Sequence, residues 1–158
     1  MAPALVLLLA FLIGVVSGLR SLTAPAVVAW AAHLGWIHLD QTILRFMDST
    51  AAIAVFTLLA LVELIADQLP STPSRTAPPG LIARIVLGAL CGAAVAVAGA
   101  QSIAIGAVLG AAGGVAGAFG GYQVRTRLVK ALKVPDFVIA CLEDAVAIGA
   151  GLFIVARF

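Results

Sequence analysis

Residues 137–156 read FVIACLEDAVAIGAGLFIVA. An α-helix needs about 20 largely apolar residues to cross a bilayer, and this stretch has that length. It also carries two adjacent carboxylates, Glu143 and Asp144. A charged side chain at the bilayer centre costs about 2.5–3.5 kcal/mol on the mildest scale. It persists when it faces a partner, a cavity or a substrate. A second apolar run, LLALVELIAD at 58–67, repeats the pattern with Glu63 inside and Asp67 at its end. The two runs together predict a membrane protein with a buried polar site.

Composition agrees. Of the 158 residues, 63% are hydrophobic and 10% charged, with a mean hydropathy of +1.20. A soluble domain carries about a quarter charged residues, so lipid must solvate much of this surface. The net charge of +2, without a dense Lys/Arg run, excludes a nucleic-acid partner. Cys91 and Cys141 both lie in apolar runs. With no CxxC and no Cys/His cluster, neither a metal nor another cofactor is expected. The apolar N-terminus lacks a basic leader and a small-residue cleavage site, so it reads as a retained helix rather than a signal peptide.

Five segments approach spanning length: Pro3–Leu19, Thr50–Ala66, 81–100, 102–122 and 137–156. In lipid all are helical by default, because an open sheet leaves its backbone polar groups unsatisfied. The fold class is therefore an all-α polytopic membrane protein of about five transmembrane helices. Short non-spanning segments complete it. Residues 24–36 are apolar but short and start near Pro25, so they are expected not to cross. Trp30 and Trp36 suit the headgroup level. Residues 39–47 read as a short amphipathic helix with Asp40 as its N-cap. The stretch DQLPSTPSRTAPPG at 67–80 is too proline-rich for a helix and reads as an extended loop.

The chain divides as one transmembrane domain, 1–158. Half one covers about 1–68, the loop and third helix about 69–100, and half two about 101–158. Each half reads as an apolar helix, a small-residue break (Ser17-Gly18 or Gly120-Gly121), a short segment, and a helix carrying Glu63 or Glu143. Five crossings would make this an inverted repeat. The distribution of Lys and Arg then puts the N-terminus in the cytoplasm and the C-terminus outside. Gly106, Gly110, Gly114 and Gly117 form a small-residue face of the kind that brings helices close in lipid. They are expected to join copies of the chain in a homo-oligomer.

GLRSLTAP at 18–25 is the sharpest local constellation. Free amides at a helix start, two hydroxyls and a guanidinium make an anion or carboxylate site. Arg20 is expected within reach of Glu63 or Asp67, since each charge alone is costly at that depth. The candidate substrate or ion site is Arg20, Ser21, Thr23, Glu63, Asp67, Arg75 and Glu143. Of Glu143 and Asp144, which point about 100° apart on a helix, one faces the site and the other meets a basic residue such as Arg127. No nucleophile–base pair is legible, so no enzyme is expected. His33 and His38 read as surface residues rather than ligands.

The segments GLRSLTAPAVVAWAAHLGW and ELIADQLPSTPSRTAPPGLIAR resemble a family of small bacterial integral membrane proteins known by a domain-of-unknown-function label. Its hallmarks, G-L-R-S-x-T-A-P and E-x-x-x-D-x-x-P-x-x-P-x-R-T-x-P, cover the two polar junctions. The resemblance implies a multi-pass protein of the bacterial inner membrane and carries no activity. Together these readings point to a small transporter or channel-like protein acting on a small solute or ion. The alternative is a membrane scaffold or lipid-binding protein whose charges only lock the fold.

Overall fold

A computed structural model describes residues 1–66 and 76–158. The described residues form α1 (Pro3–Leu19), α2 (Thr23–His33), a 3₁₀ turn (Ile43–Asp48), α3 (Thr50–Ala66), α4 (Pro78–Ala98), α5 (Ile103–Leu132) and α6 (Asp136–Val155). No strand occurs among them. α4, α5 and α6 are long and apolar enough to cross a membrane, and α1 and α3 are shorter apolar helices. Leu5, Leu8, Val55, Leu58, Ile65, Val108, Val146 and Phe153 all face outward. That apolar exterior is what lipid, not water, stabilises.

Local chemistry sets the helix ends. Pro3 and Pro78 open α1 and α4 at first-turn positions, where a missing N–H costs nothing. The Ser49 hydroxyl accepts from Ala52 N at 3.1 Å and caps α3. The 3₁₀ turn is capped by Thr42, whose hydroxyl accepts from Leu44 N, and not by Asp40.

α1, α4 and α5 form the tightest part of the bundle, and glycine makes it possible. A Cβ on Gly14 would lie 2.1 Å from the Gly110 carbonyl oxygen. One on Gly110 would lie 2.1 Å from that of Gly88, and one on Gly117 2.2 Å from that of Val15. Three backbones therefore meet with no side chain between them, the close approach that small residues allow in membranes. This corrects the expected role of the glycine face. Gly106, Gly110, Gly114 and Gly117 are all buried and pack against α1 and α4 of the same chain.

Contacts along this seam also fix direction. Gly14 meets Gly110 and Gly18 meets Gly117, so α1 and α5 run parallel. Gly92 meets Gly106 and Gly114 meets Arg84, so α4 runs antiparallel to both. α6 follows α5 through a three-residue connection and returns, with Arg125 meeting Asp136 and Glu143. α2 runs alongside α6, since Arg20 meets Asp144 and Val27 meets Gly151. It therefore doubles back beside α1. α3 is antiparallel to α2: Leu22 meets Glu63, Trp30 meets Thr57, and His33 meets Asp48.

Three expectations fail here. Both termini lie at the same end of the bundle, because the return of α2 adds a reversal that the five-crossing count lacks. α1 and α5 are parallel, whereas the repeat as read from the sequence pairs them antiparallel. The expected break at Gly120-Gly121 is also absent, since α5 continues through it to Leu132. At 1.5 Å per residue α5 is about 45 Å long, well beyond a hydrocarbon core of about 30 Å. Arg125, Arg127 and Lys130 ride on the projecting end.

Candidate functional site: a buried charged junction

α1 ends at Leu19 and α2 starts at Thr23. The three residues between them, with the last turn of α1, hold the polar centre. Arg20 is wholly buried, and Ser17, Ser21, Thr23 and Arg84 are buried as well. Such groups persist in an apolar bundle only when paired or hydrogen-bonded.

The pairing is specific. Arg20 Nε donates to Asp144 Oδ1 of α6. Glu63, near the end of α3, reaches the start of α2. Its Oε1 accepts from Ser21 N at 2.8 Å and from the Ser21 hydroxyl, and its Oε2 accepts from Leu22 N at 2.8 Å. These amides belong to the turn just ahead of α2, whose dipole also presents its favourable end to a carboxylate there. Arg84 of α4 lies 3.9 Å from Glu63 Oε1. Its Nε donates to the Gly18 carbonyl at 3.1 Å and its Nη1 to Gly80 at 3.0 Å. The Ser17 hydroxyl completes the knot, donating to Arg84 O at 3.3 Å. Five helices thus converge on a few residues.

Asp144 lies eight residues into α6, about 12 Å along its axis, between Glu143 and Ala145. The Thr23 hydroxyl is buried there without a hydrogen-bond partner among the described residues.

Of the expected site, Arg20, Ser21, Thr23 and Glu63 come together here. Arg20 and Glu63 meet the same turn, but through different groups. Asp144 takes Arg20, and Arg84 is the cation within ion-pair range of Glu63 among the described residues. Asp67 and Arg75 lie outside the described residues. Glu143 is elsewhere: its Oε2 is 3.6 Å from Arg125 Nη1, in an apolar cleft of about 300 Å³ between α5 and α6. The basic partner is Arg125 rather than Arg127, because Arg125 stands on the α5 face that looks toward α6. Arg125 also chelates Asp136 at the exposed start of α6.

Arg84, Ser17 and Asp144 are the junction residues that sequence reasoning left out. Arg84 reads in sequence as a mere interruption of an apolar run, yet an Arg inside such a run is itself a signal of pairing. His33 contacts Asp48 at the bundle surface. No group of potential metal ligands occurs among the described residues.

No curated protein and no solved structure matches this chain. A family model does match, over residues 7–157, from within α1 through α6, and takes in both sides of the junction. The chain belongs to the family described as a domain of unknown function, DUF4126.

Proposed function

We propose that this chain is a small-solute permeation protein, a transporter or channel-like protein of the bacterial inner membrane, with its solute site at the junction of α1, α2, α3, α4 and α6. The observation that carries the reading is the Glu63 carboxylate seated on the Ser21 and Leu22 amides of the α1–α2 turn, among apolar helices and 3.9 Å from the buried Arg84. Backbone groups freed at a helix break and turned to an anionic group are how membrane transporters commonly build a binding site. Arg20, Ser21, Thr23 and Glu63 supply the polar groups, joined by Arg84 and Asp144. Asp67 and Arg75 belong to the reading on sequence grounds.

In this state the junction is closed. Solute entry requires an internal carboxylate to leave its donors, and α3 is the element best placed to yield. It buries only Ile53 and Ala60 and packs chiefly on α2 and the 3₁₀ turn. The test is flux in proteoliposomes of purified protein, comparing organic anions, chloride and alkali cations. Solute-selective flux altered by Glu63→Gln supports the reading, and absence of flux for every class rejects it.

A second reading has its own support. Arg20–Asp144 and Arg84–Glu63 are closed pairs linking distant helices, which is what a rigid scaffold requires. Under that reading, replacing Arg20 and Asp144 together with apolar residues preserves every property of the protein, since buried ion pairs are often replaceable in this way.

A further inference from the structure

We infer that the cradle at the start of α2 is a binding site for small free monocarboxylates, and that Glu63 is its tethered occupant. The inference deepens the permeation reading by naming the substrate class, and it rests on that reading only for the movement of the ligand.

The donor geometry selects the ligand. Successive amides, Ser21 N and Leu22 N, each address a different oxygen of one carboxylate, both at 2.8 Å. The Ser21 hydroxyl adds a second donor to Oε1. Two divergent oxygens on a planar carbon satisfy this set, whereas a spherical halide cannot meet both amides in the same way. Charge-assisted bonds of this kind are the strong ones.

Donors and occupant belong to different parts of the molecule. The donors lie on the buried α1–α2 turn. The occupant arrives from α3, more than 40 residues further along the chain, on a helix that buries two residues. Arg84 holds its place independently of Glu63, through its bonds to the Gly18 and Gly80 carbonyls. It would keep its positive charge beside the cradle after Glu63 withdrew. The Thr23 hydroxyl is an independent sign of a ligand. It is 3% exposed, follows directly on Leu22, and has no hydrogen-bond partner among the described residues. A free carboxylate is not bound to the α3 backbone and can shift to use this donor, as Glu63 does not.

The test empties the cradle and refills it. Glu63→Ala removes the tethered carboxylate. Thermal unfolding of the purified variant in detergent is followed with formate or acetate, against chloride at matched ionic strength. The expected result is a melting temperature below that of the wild type, restored by several degrees, saturably, by formate or acetate and not by chloride. The wild type, its cradle already filled, should show no such shift. Adding Ser21→Ala to Glu63→Ala should weaken acetate binding about tenfold or more, the effect of losing one charge-assisted donor. Glu63→Gln is the second variant, read by equilibrium dialysis of labelled acetate. Its amide nitrogen faces a backbone N–H, so it too should leave the cradle open.

Folded variants that show no saturable carboxylate effect would overturn the inference. Failure of both variants to fold with acetate present throughout extraction would overturn it equally, since a free carboxylate should then replace the tethered one. Acetate binding to Glu63→Ala with no flux of organic anions, chloride or alkali cations through the wild type would leave the site standing and remove the permeation reading.

Discussion

Gly110→Ala should be among the most damaging one-carbon changes possible in this chain. The added Cβ would stand 2.1 Å from the Gly88 carbonyl oxygen and 2.9 Å from Gly92 Cα, whereas ordinary contact begins at 3.4 Å. α4 and α5 must therefore separate by more than 1 Å. The obstructing atoms are backbone, so no rotamer change relieves them. α1 touches the same turn, because Gly14 approaches the Gly110 carbonyl equally closely, and a shift of α5 disturbs both neighbours. A gap of 0.5–1 Å already forfeits about a quarter to a half of each dispersion contact, and overpacking typically costs about 1–3 kcal/mol. Ala gains about 0.5–1 kcal/mol over Gly within a helix. The net expectation is a loss of about 2 kcal/mol. Gly120→Ala is the control: it lies on the same helix with nothing within 4 Å of the added atom, and should be neutral or slightly stabilising. Reversible unfolding in mixed micelles measures both. Equal stability of the two variants would refute the seam as a backbone-to-backbone contact.

Other outcomes follow from the charges and the helix directions. Asp144→Asn should cost about 3–5 kcal/mol, because it removes the carboxylate that the wholly buried Arg20 addresses through Nε. Asp136→Asn should cost less than about 1 kcal/mol in the same assay, since that carboxylate is 60% exposed. Cysteines placed at Ala2 and Phe158 should be labelled by an impermeant maleimide from the same face of the membrane, and labelling from opposite faces would contradict the return of α2. In detergent, a permeant thiol reagent should modify Cys141 and spare Cys91 until the protein unfolds, as only Cys141 is exposed.

The helices themselves were largely legible. Pro3–Leu19 and Thr50–Ala66 were expected at those bounds, and α4 and α6 within about three residues, because apolar length and proline position declare themselves in sequence. Direction was not legible. Whether α2 doubles back depends on Arg20 finding Asp144, a contact that local pattern does not encode, and the parity of every later helix follows from it. α5 was cut short at Gly120-Gly121 because paired glycines and nearby cations look like an end. A helix longer than the bilayer is thick accommodates both. At the junction, residue types and the meeting of 20–22 with Glu63 were foreseeable from the cost of buried charge. The choice of Asp144 over Glu143 was not, since neighbours on one helix differ only in which way they face. The glycine periodicity announced close packing but not its partner, as a seam within one chain and a seam between copies share the same spacing.

The Arg20–Asp144 pair also has a consequence for how the protein is made. Its members are 124 residues apart in the chain. At about 5–20 residues per second of synthesis, Asp144 emerges roughly 6–25 seconds after Arg20. Throughout that interval the carboxylate that the Arg20 Nε finally addresses does not yet exist. Glu63 is made earlier and can fasten the start of α2 at Ser21 and Leu22, and α4 then brings Arg84 to the turn. The last helix both closes the chain and brings Asp144 to its oldest buried charge. A truncated product that stops before α6 should therefore be recognised as unfinished by the cell's membrane quality control, and the finished one released from it.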